Sequence, residues 1–355
     1  MFTPLLAVLI LPNSAIAGDE VLPELQPTLL VKTTATILDQ DQSELADPGG
    51  YGDPENDPGF KVETVRMGFR GRDKTVKYGV TVGMSSPYDT VEEAQGGTPD
   101  LHIVDAYGGY SPVEDLWIVG GLQKVPVSRE KLMASSDLSL SRRSAVSEWL
   151  APSRDIGVVV DGRWSFIRSR VGIFNGGGDL RGDDNDGKLV AARLEGKFGE
   201  GNAYKTYGKV DGLLVSIGAD GWMNSEQALT STGYGVDVLF RFDGMAVLAE
   251  ARFVSSEPKE DLIVVPGVLG ETHSQGMMVQ AGYTVGQLEP VVRFASFDDD
   301  DSVEDVGDVT EAMGGVTWHS AKDQVRAGVG YIARIERGPT KKDNDSVQAW
   351  FQLKL

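Results

Sequence analysis

Along most of the chain apolar residues recur at every second position, while charge, amide or glycine occupies the opposite phase. In the run from Met245 to Val254, Met245, Val247, Ala249, Ala251 and Phe253 share one face, with Glu250 and Arg252 on the other. From Gly233 to Asp243 the same split sets Tyr234, Val236, Val238, Phe240 and Phe242 against Asp237 and Arg241. Period two predicts strands with one apolar and one wet face. About sixteen such runs follow one another, from 25–38 at the start to 346–355 at the end. The linkers between them alternate in length. Short ones are RDKT, SPVED, DGR, Asp243-Gly244, Gly286-Gln287 and SAKD; long ones follow the first strand, then fill 85–100, 122–158, 175–187, 255–274 and the run from Asp298. The stretch GEGNAYKTYG (199–208) breaks the rule, being long where a short turn is due. A soluble sandwich produces the alternation but has no reason for this rhythm. The pattern predicts an all-β fold, a transmembrane antiparallel β-barrel of about 16 strands with tight turns at one rim and long loops at the other.

The N-terminus reads MFTPLLAVLILPNSAIAGDE, an apolar run followed by Ala15 and Ala17 in an A-x-A arrangement. It predicts a signal peptide over 1–17, leaving 18–355 as the barrel, although the start carries no Lys or Arg. No other segment reaches the roughly 18–20 apolar residues of a spanning helix. The chain ends inside a strand, at VQAWFQLKL, so Leu355 is expected at the barrel wall.

Composition narrows the function. The 355 residues include no Cys, which removes disulfides and thiolate metal sites, and the net charge of −20 argues against non-specific nucleic-acid binding. Much of the acid sits in two loop-like runs, Asp39–Gly59 and Asp298–Asp308. A calcium site in these, or in GGGDLRGDDNDG (176–187), lacks the EF-hand spacing, so no metal or cofactor is assigned. There is no G-x-S-x-G, P-loop or H-E-x-x-H, and His102, His273 and His319 lie far apart, so no enzyme is expected.

The long connection between the fifth and sixth strands has the opposite charge from the whole. It carries Lys124, Arg129, Lys131, Arg142, Arg143 and Arg154 against Glu130, Asp137, Glu148 and Asp155. Residues of about 125–154 are therefore the expected constriction loop. On the wet phase of the strands lie Arg66, Arg70, Arg168, Arg170, Arg241 and Arg252, proposed from the sequence as pore-lining and anion-contacting. Lys32, Arg193, Lys197, Arg293, Arg326 and Arg334 share that phase, opposed by Glu195, Asp237, Glu250 and Glu289. Acid is thus expected in the outer loops and base in the lumen wall, where a narrow low-dielectric pore would concentrate anions. Half or more of the wall arginines are expected to brace the wall through ion pairs, and Arg143 and Arg154 to tie the loop to it.

The stretch from Gly121 to Gly162 resembles the phosphate-selective porin O and P family of bacterial outer-membrane channels. The resemblance rests on Gly121, Lys124, Pro126, Ser128 and Glu130, then Arg143 and Ser144, then Ala151, Pro152, Arg154, Asp155, Ile156 and Gly157. It implies a sixteen-stranded barrel, commonly a homotrimer, whose third long loop folds inward, with passive uptake of inorganic anions such as phosphate. The expected setting is the bacterial outer membrane, with lipid and lipopolysaccharide as surroundings. A closed-lumen barrel acting as a surface receptor or structural protein stays open as the alternative.

Overall fold

The computed structural model describes residues 23–36, 59–85, 101–178, 187–226, 229–259, 270–304, 308–337 and 345–355. The expected signal peptide, the acidic run at 39–58 and most of the 176–187 stretch lie outside the described residues. Sixteen strands run in chain order: β1 (Gln26–Thr36), β2 (Gly59–Arg72), β3 (Val76–Ser85), β4 (Leu101–Val113), β5 (Leu116–Lys124), β6 (Arg154–Trp164), β7 (Ile167–Phe174) and β8 (Leu189–Phe198). Then come β9 (Val210–Ser225), β10 (Leu229–Asp243), β11 (Met245–Pro258), β12 (Thr272–Tyr283), β13 (Leu288–Asp298), β14 (Val309–His319), β15 (Val325–Glu336) and β16 (Ser346–Lys354). Each pairs antiparallel with its neighbours, and β1 closes on β16 in a register running from Leu30 opposite Lys354 to Thr36 opposite Gln348. Closure removes the two open edges a sheet would otherwise present, so every spanning backbone has a partner on both sides.

Which way the faces point follows from burial. In β13, Glu289, Val291, Arg293, Ala295 and Phe297 are buried, whereas Leu288, Val292 and Phe294 are exposed. Leu194, Ile217, Val236, Val279 and Ile335 are likewise exposed on their strands. Buried arginine behind exposed valine inverts the order of a water-soluble protein. It fits an outer wall solvated by hydrocarbon and a polar interior.

The short turns sit at one rim. Asp115, Ser165, Asp243 and Asp323 adopt positive φ there, between 49° and 62°, as tight antiparallel hairpins require of their turn residues. Asp73 Oδ1 accepts hydrogen bonds from the amides of Thr75 and Val76 at 2.6 and 2.7 Å, which folds the β2–β3 turn onto itself. One turn falls elsewhere than the sequence indicates. Asp161–Arg163 lie inside β6, and the turn is at Ser165–Phe166. Gly162 is not a turn residue; a Cβ there would stand 2.4 Å from the Trp164 ring, so its glycine makes room for that ring.

The insert between β5 and β6 carries α1 (Arg129–Leu132), a 3-10 turn at Ser135–Asp137 and α2 (Ala145–Trp149). It packs against the polar face of the wall. There Met133, Leu138, Ala145, Val146 and Leu150 form an apolar cluster with Leu239, Leu248, Met278, Ala295, Phe297 and Val309 from β10 to β14. A polar-faced wall thus keeps an apolar patch for the insert, which shares it with Ala203 of the β8–β9 connection.

The outer belt yields a test. Val236 sits at the middle of β10 and is 55% exposed. Val236→Arg should cost about 2–4 kcal/mol in lipid vesicles, measured by denaturant unfolding; no loss would mean that this face does not meet hydrocarbon.

Candidate functional site

A salt-bridge network joins the insert to the wall. Arg129, at the start of α1, is wholly buried; its Nε donates to Asp237 Oδ1 at 2.6 Å, and its Nη2 lies 3.4 Å from Glu195. Arg193 donates to Asp220 and Asp237 at 2.7 and 2.6 Å, and Arg252 to Asp220 at 2.7 Å. Glu250 lies 3.2 Å from Arg252. Four carboxylates from β8 to β11 are therefore matched by three guanidiniums, which keeps the buried charge nearly balanced. The backbone of α1 joins in, since the amides of Ser128 and Glu130 donate to Asp220 and Glu250 at 3.0 and 3.3 Å. Ser128 Oγ caps the helix by accepting from the Lys131 amide at 3.1 Å.

The other end of α1 is held by Lys124 at the tip of β5. Its ammonium donates to the carbonyls of Lys131, Leu132 and Met133 at 2.9, 3.1 and 2.7 Å. Those carbonyls lack helical partners, and a cation suits them. Arg143 donates to the Glu130 and Met133 carbonyls at 3.1 and 2.9 Å, while Glu130 Oε2 accepts from Ser144 Oγ and Ser147 Oγ, both at 2.6 Å. Lys131 faces Glu148 at 2.9 Å; burial lowers the pKa of its ammonium, and the carboxylate opposes that shift. Arg293 donates to the Arg142 and Arg143 carbonyls at 2.8 and 3.1 Å.

A second segment enters from the short-turn rim. The connection 199–209, between β8 and β9, is the one whose length departs from the alternation. Thr206 accepts from the Ser139 amide at 3.1 Å through its hydroxyl, and Tyr207 donates to the Ser136 carbonyl at 3.1 Å, so the two segments meet. Burial pushes the Tyr207 phenol up, which keeps it a donor. Arg241 secures the segment by donating to the carbonyls of Asn202, Tyr207 and Gly208 at 3.1, 2.6 and 2.8 Å. Arg326 lies 3.9 Å over the Tyr207 ring and donates to the Ser136 and Ser139 carbonyls at 3.1 and 3.3 Å.

What remains open lies against the other half of the wall. A cavity of about 1140 Å³ is bounded by β1 to β7 on one side and by Leu132–Asp137 of the insert on the other. The strands contribute Arg66, Arg70, Arg72, Lys77, Arg168 and Arg170. Lys124, Arg154, Lys205 and Lys354 complete the cations, against Asp105, Asp137 and Asp161. The Arg70 side chain makes no hydrogen bond or ion pair among the described residues. Arg66 donates to Ser135 Oγ at 3.3 Å and has no ion pair, while Arg72 and Lys77 lie 4.8 and 4.7 Å from the Trp117 ring centre.

The residues singled out in the sequence therefore divide. Arg66, Arg70, Arg168 and Arg170 border the cavity, as do Lys124 and Arg154. Arg168 is gripped by Asp161 at 2.8 and 2.6 Å, Arg170 donates to the Tyr204 hydroxyl, and Arg154 donates to Asp105 at 3.0 Å. Arg241 and Arg252 are not on the cavity; both are buried, one on carbonyls and the other on Asp220 and Glu250. The expectation that acid is scarce on the wall is corrected as well. Asp105, Asp161, Asp220 and Glu311 stand on the same face as the arginines. Sequence reasoning also missed Arg72, Lys77, Asn202 and Lys205, and it placed Lys354 on the wet phase of the last strand without counting it among the lining residues. The first two follow the same alternation as Arg70; Asn202 and Lys205 lie in a turn segment, where no periodicity marks them.

With the geometry in hand, comparison with known proteins gives the fold a name. No protein-family model matches the chain. An uncharacterized protein of Aquifex aeolicus is 27% identical over 246 residues, a match covering 58% of this chain and 56% of that protein. Among solved structures, a loop-deletion mutant of OmpT, an outer membrane protein of Vibrio cholerae, aligns over 94% of this chain and 100% of its own at TM-score 0.63 and 10% identity. An anion-selective porin from Comamonas acidovorans aligns over 93% and 98% at 0.60 and 11% identity. The outer membrane channel DcaP of Acinetobacter baumannii aligns over 94% and 97% at 0.58 and 15% identity. The fold is that of a bacterial outer-membrane porin. Within this porin fold the insert is the third long connection.

Removing a carboxylate from the network tests the docking of the insert. Asp237→Ala removes the 2.6 Å partner shared by Arg129 and Arg193, leaving the first on Glu195 and the second on Asp220 and Glu195, a loss of about 2–3 kcal/mol. The insert should then become cleavable by trypsin at Arg142 or Arg143 while the barrel resists; unchanged protection would show that the network does not hold it.

Proposed function

We propose that the chain is an outer-membrane porin, a water-filled channel for passive diffusion of small hydrophilic solutes that favours anions, phosphate or a similar oxyanion among them. The observation that carries this reading is the lining of the large cavity, where ten cationic side chains face three carboxylates. In a narrow pore with low-dielectric walls, fixed charge of one sign raises the local concentration of the opposite ion. Guanidinium forks such as that of Arg70 match the paired oxygens of phosphate better than they match chloride.

The insert supplies the constriction. Its partners lie on β1, β8 to β11 and β13 to β16, and a segment that reaches so many strands on their polar face crosses the lumen. By tying up Arg252, Arg293 and Arg326, it leaves the charge that a solute meets on β2 to β7. No step of chemistry is needed; selection comes from aperture and field. We further propose a homotrimer set in lipid and lipopolysaccharide, in keeping with the resemblance of the insert to phosphate-selective porins.

The test is the zero-current potential of the purified protein in a planar bilayer under a KCl gradient. Chloride should permeate faster than potassium, and the Arg66→Ala, Arg70→Ala double variant should move the permeability ratio towards one. A cation preference would overturn the anion assignment. Absence of any conductance would leave the closed-lumen barrel as the reading.

A further inference from the structure

A second, smaller cavity of about 320 Å³ opens at the short-turn mouth, between the β6–β7 hairpin and the 199–209 segment. Its volume is at the lower end of the range for small-molecule sites. Strand register assembles its charge. Arg163 of β6 stands opposite Arg168 of β7, which stands opposite Glu195 of β8, and Lys197 follows two residues on along the same face. Arg168 and Glu195 are committed, the first to Asp161 and the second to Arg129 and Arg193. Arg163 and Lys197 have no side-chain hydrogen bond or ion pair among the described residues. Two unmatched cations therefore border a cavity whose one carboxylate is already neutralised. An anion in the cavity would be attracted by both.

The remaining lining argues against a bare halide. Asn202 borders the cavity, and because its Oδ1 accepts from the Tyr204 amide at 2.8 Å, its NH2 is the group left to donate. Phe166 adds an apolar edge. We propose that this cavity is a second oxyanion site, distinct from the main channel, that takes inorganic phosphate or the phosphate group of a small phosphomonoester. Arg163 and Lys197 supply the charge and donors, Asn202 a further donor, and Arg168 adds field without changing partner. Arg168 and Asn202 border both cavities, so the site lies beside the route a solute takes to the mouth. Binding here does not depend on the channel reading.

Calorimetric titration of the purified, detergent-solubilised full chain tests it, with Arg66→Ala and Arg70→Ala present to weaken the main cavity. Inorganic phosphate and glycerol phosphate are the probes. Saturable binding should persist in that background, fall about tenfold with Lys197→Ala, fall again with Arg163→Ala, and return with Lys197→Arg. Tighter binding of glycerol phosphate would assign an organic phosphate, and equal binding the free anion. Loss of all binding with the Arg66 and Arg70 changes alone, or binding indifferent to both Lys197→Ala and Arg163→Ala, would overturn the proposal. Conductance of the same preparation is read separately, so a silent channel and an empty site give different results.

Discussion

The seating of Arg129 between Asp237 and Glu195 is the contact on which the interior depends. A guanidinium can be buried only where carboxylates meet it, and those carboxylates can be buried only if something cationic arrives. Arg193 and Arg252 alone leave the four acids on β8 to β11 two cations short, and a third guanidinium brings the group close to balance. The insert brings that partner, and the amides at the start of α1 take up remaining lone pairs on Asp220 and Glu250. The apolar cluster around Val146 and Met278 then adds area without adding direction. Polar pairing fixes where the insert sits, and apolar packing makes leaving costly.

Seating the insert to one side has an electrostatic result. Arginines are distributed around the barrel, but those on β8 to β15 face carboxylates, carbonyls or the rings of Tyr207 and Trp350. Arg66, Arg70 and Arg72 on β2 have no ion pair among the described residues and border the open cavity. Cationic side chains without a partner are thereby confined to one arc of the wall, and ten cations meet three carboxylates around the large cavity although the whole chain carries a net charge of −20.

Strand phase was legible in the sequence because it needs only local information. The alternation at Val236, Asp237 and Val238, or at Val292, Arg293 and Phe294, states which side chain meets lipid and which does not. Partners were not legible, since they depend on register between strands far apart in the chain. Nothing near Arg252 announces Asp220, and nothing near Arg241 announces the carbonyls of 202, 207 and 208. Two local signals also misled. Asp161-Gly162 has the composition of a turn, yet the glycine there accommodates the Trp164 ring, and Asp161 goes to Arg168. The GEGNAYKTYG stretch showed only that it was too long, because a segment held by its carbonyls leaves no pattern in its side chains.

Lys124 and Arg154 face each other as the last paired residues of β5 and β6, where the insert leaves the wall and returns. One grips the end of α1 and the other Asp105 on β4, so the neck of the insert is part of the hydrogen-bond ladder itself. The position of the insert and the register of the wall are consequently a single variable. A residue gained or lost within β5 or β6 would turn α1 and Arg129 away from their seat. Strand register in the wall thereby doubles as the gauge that places the insert.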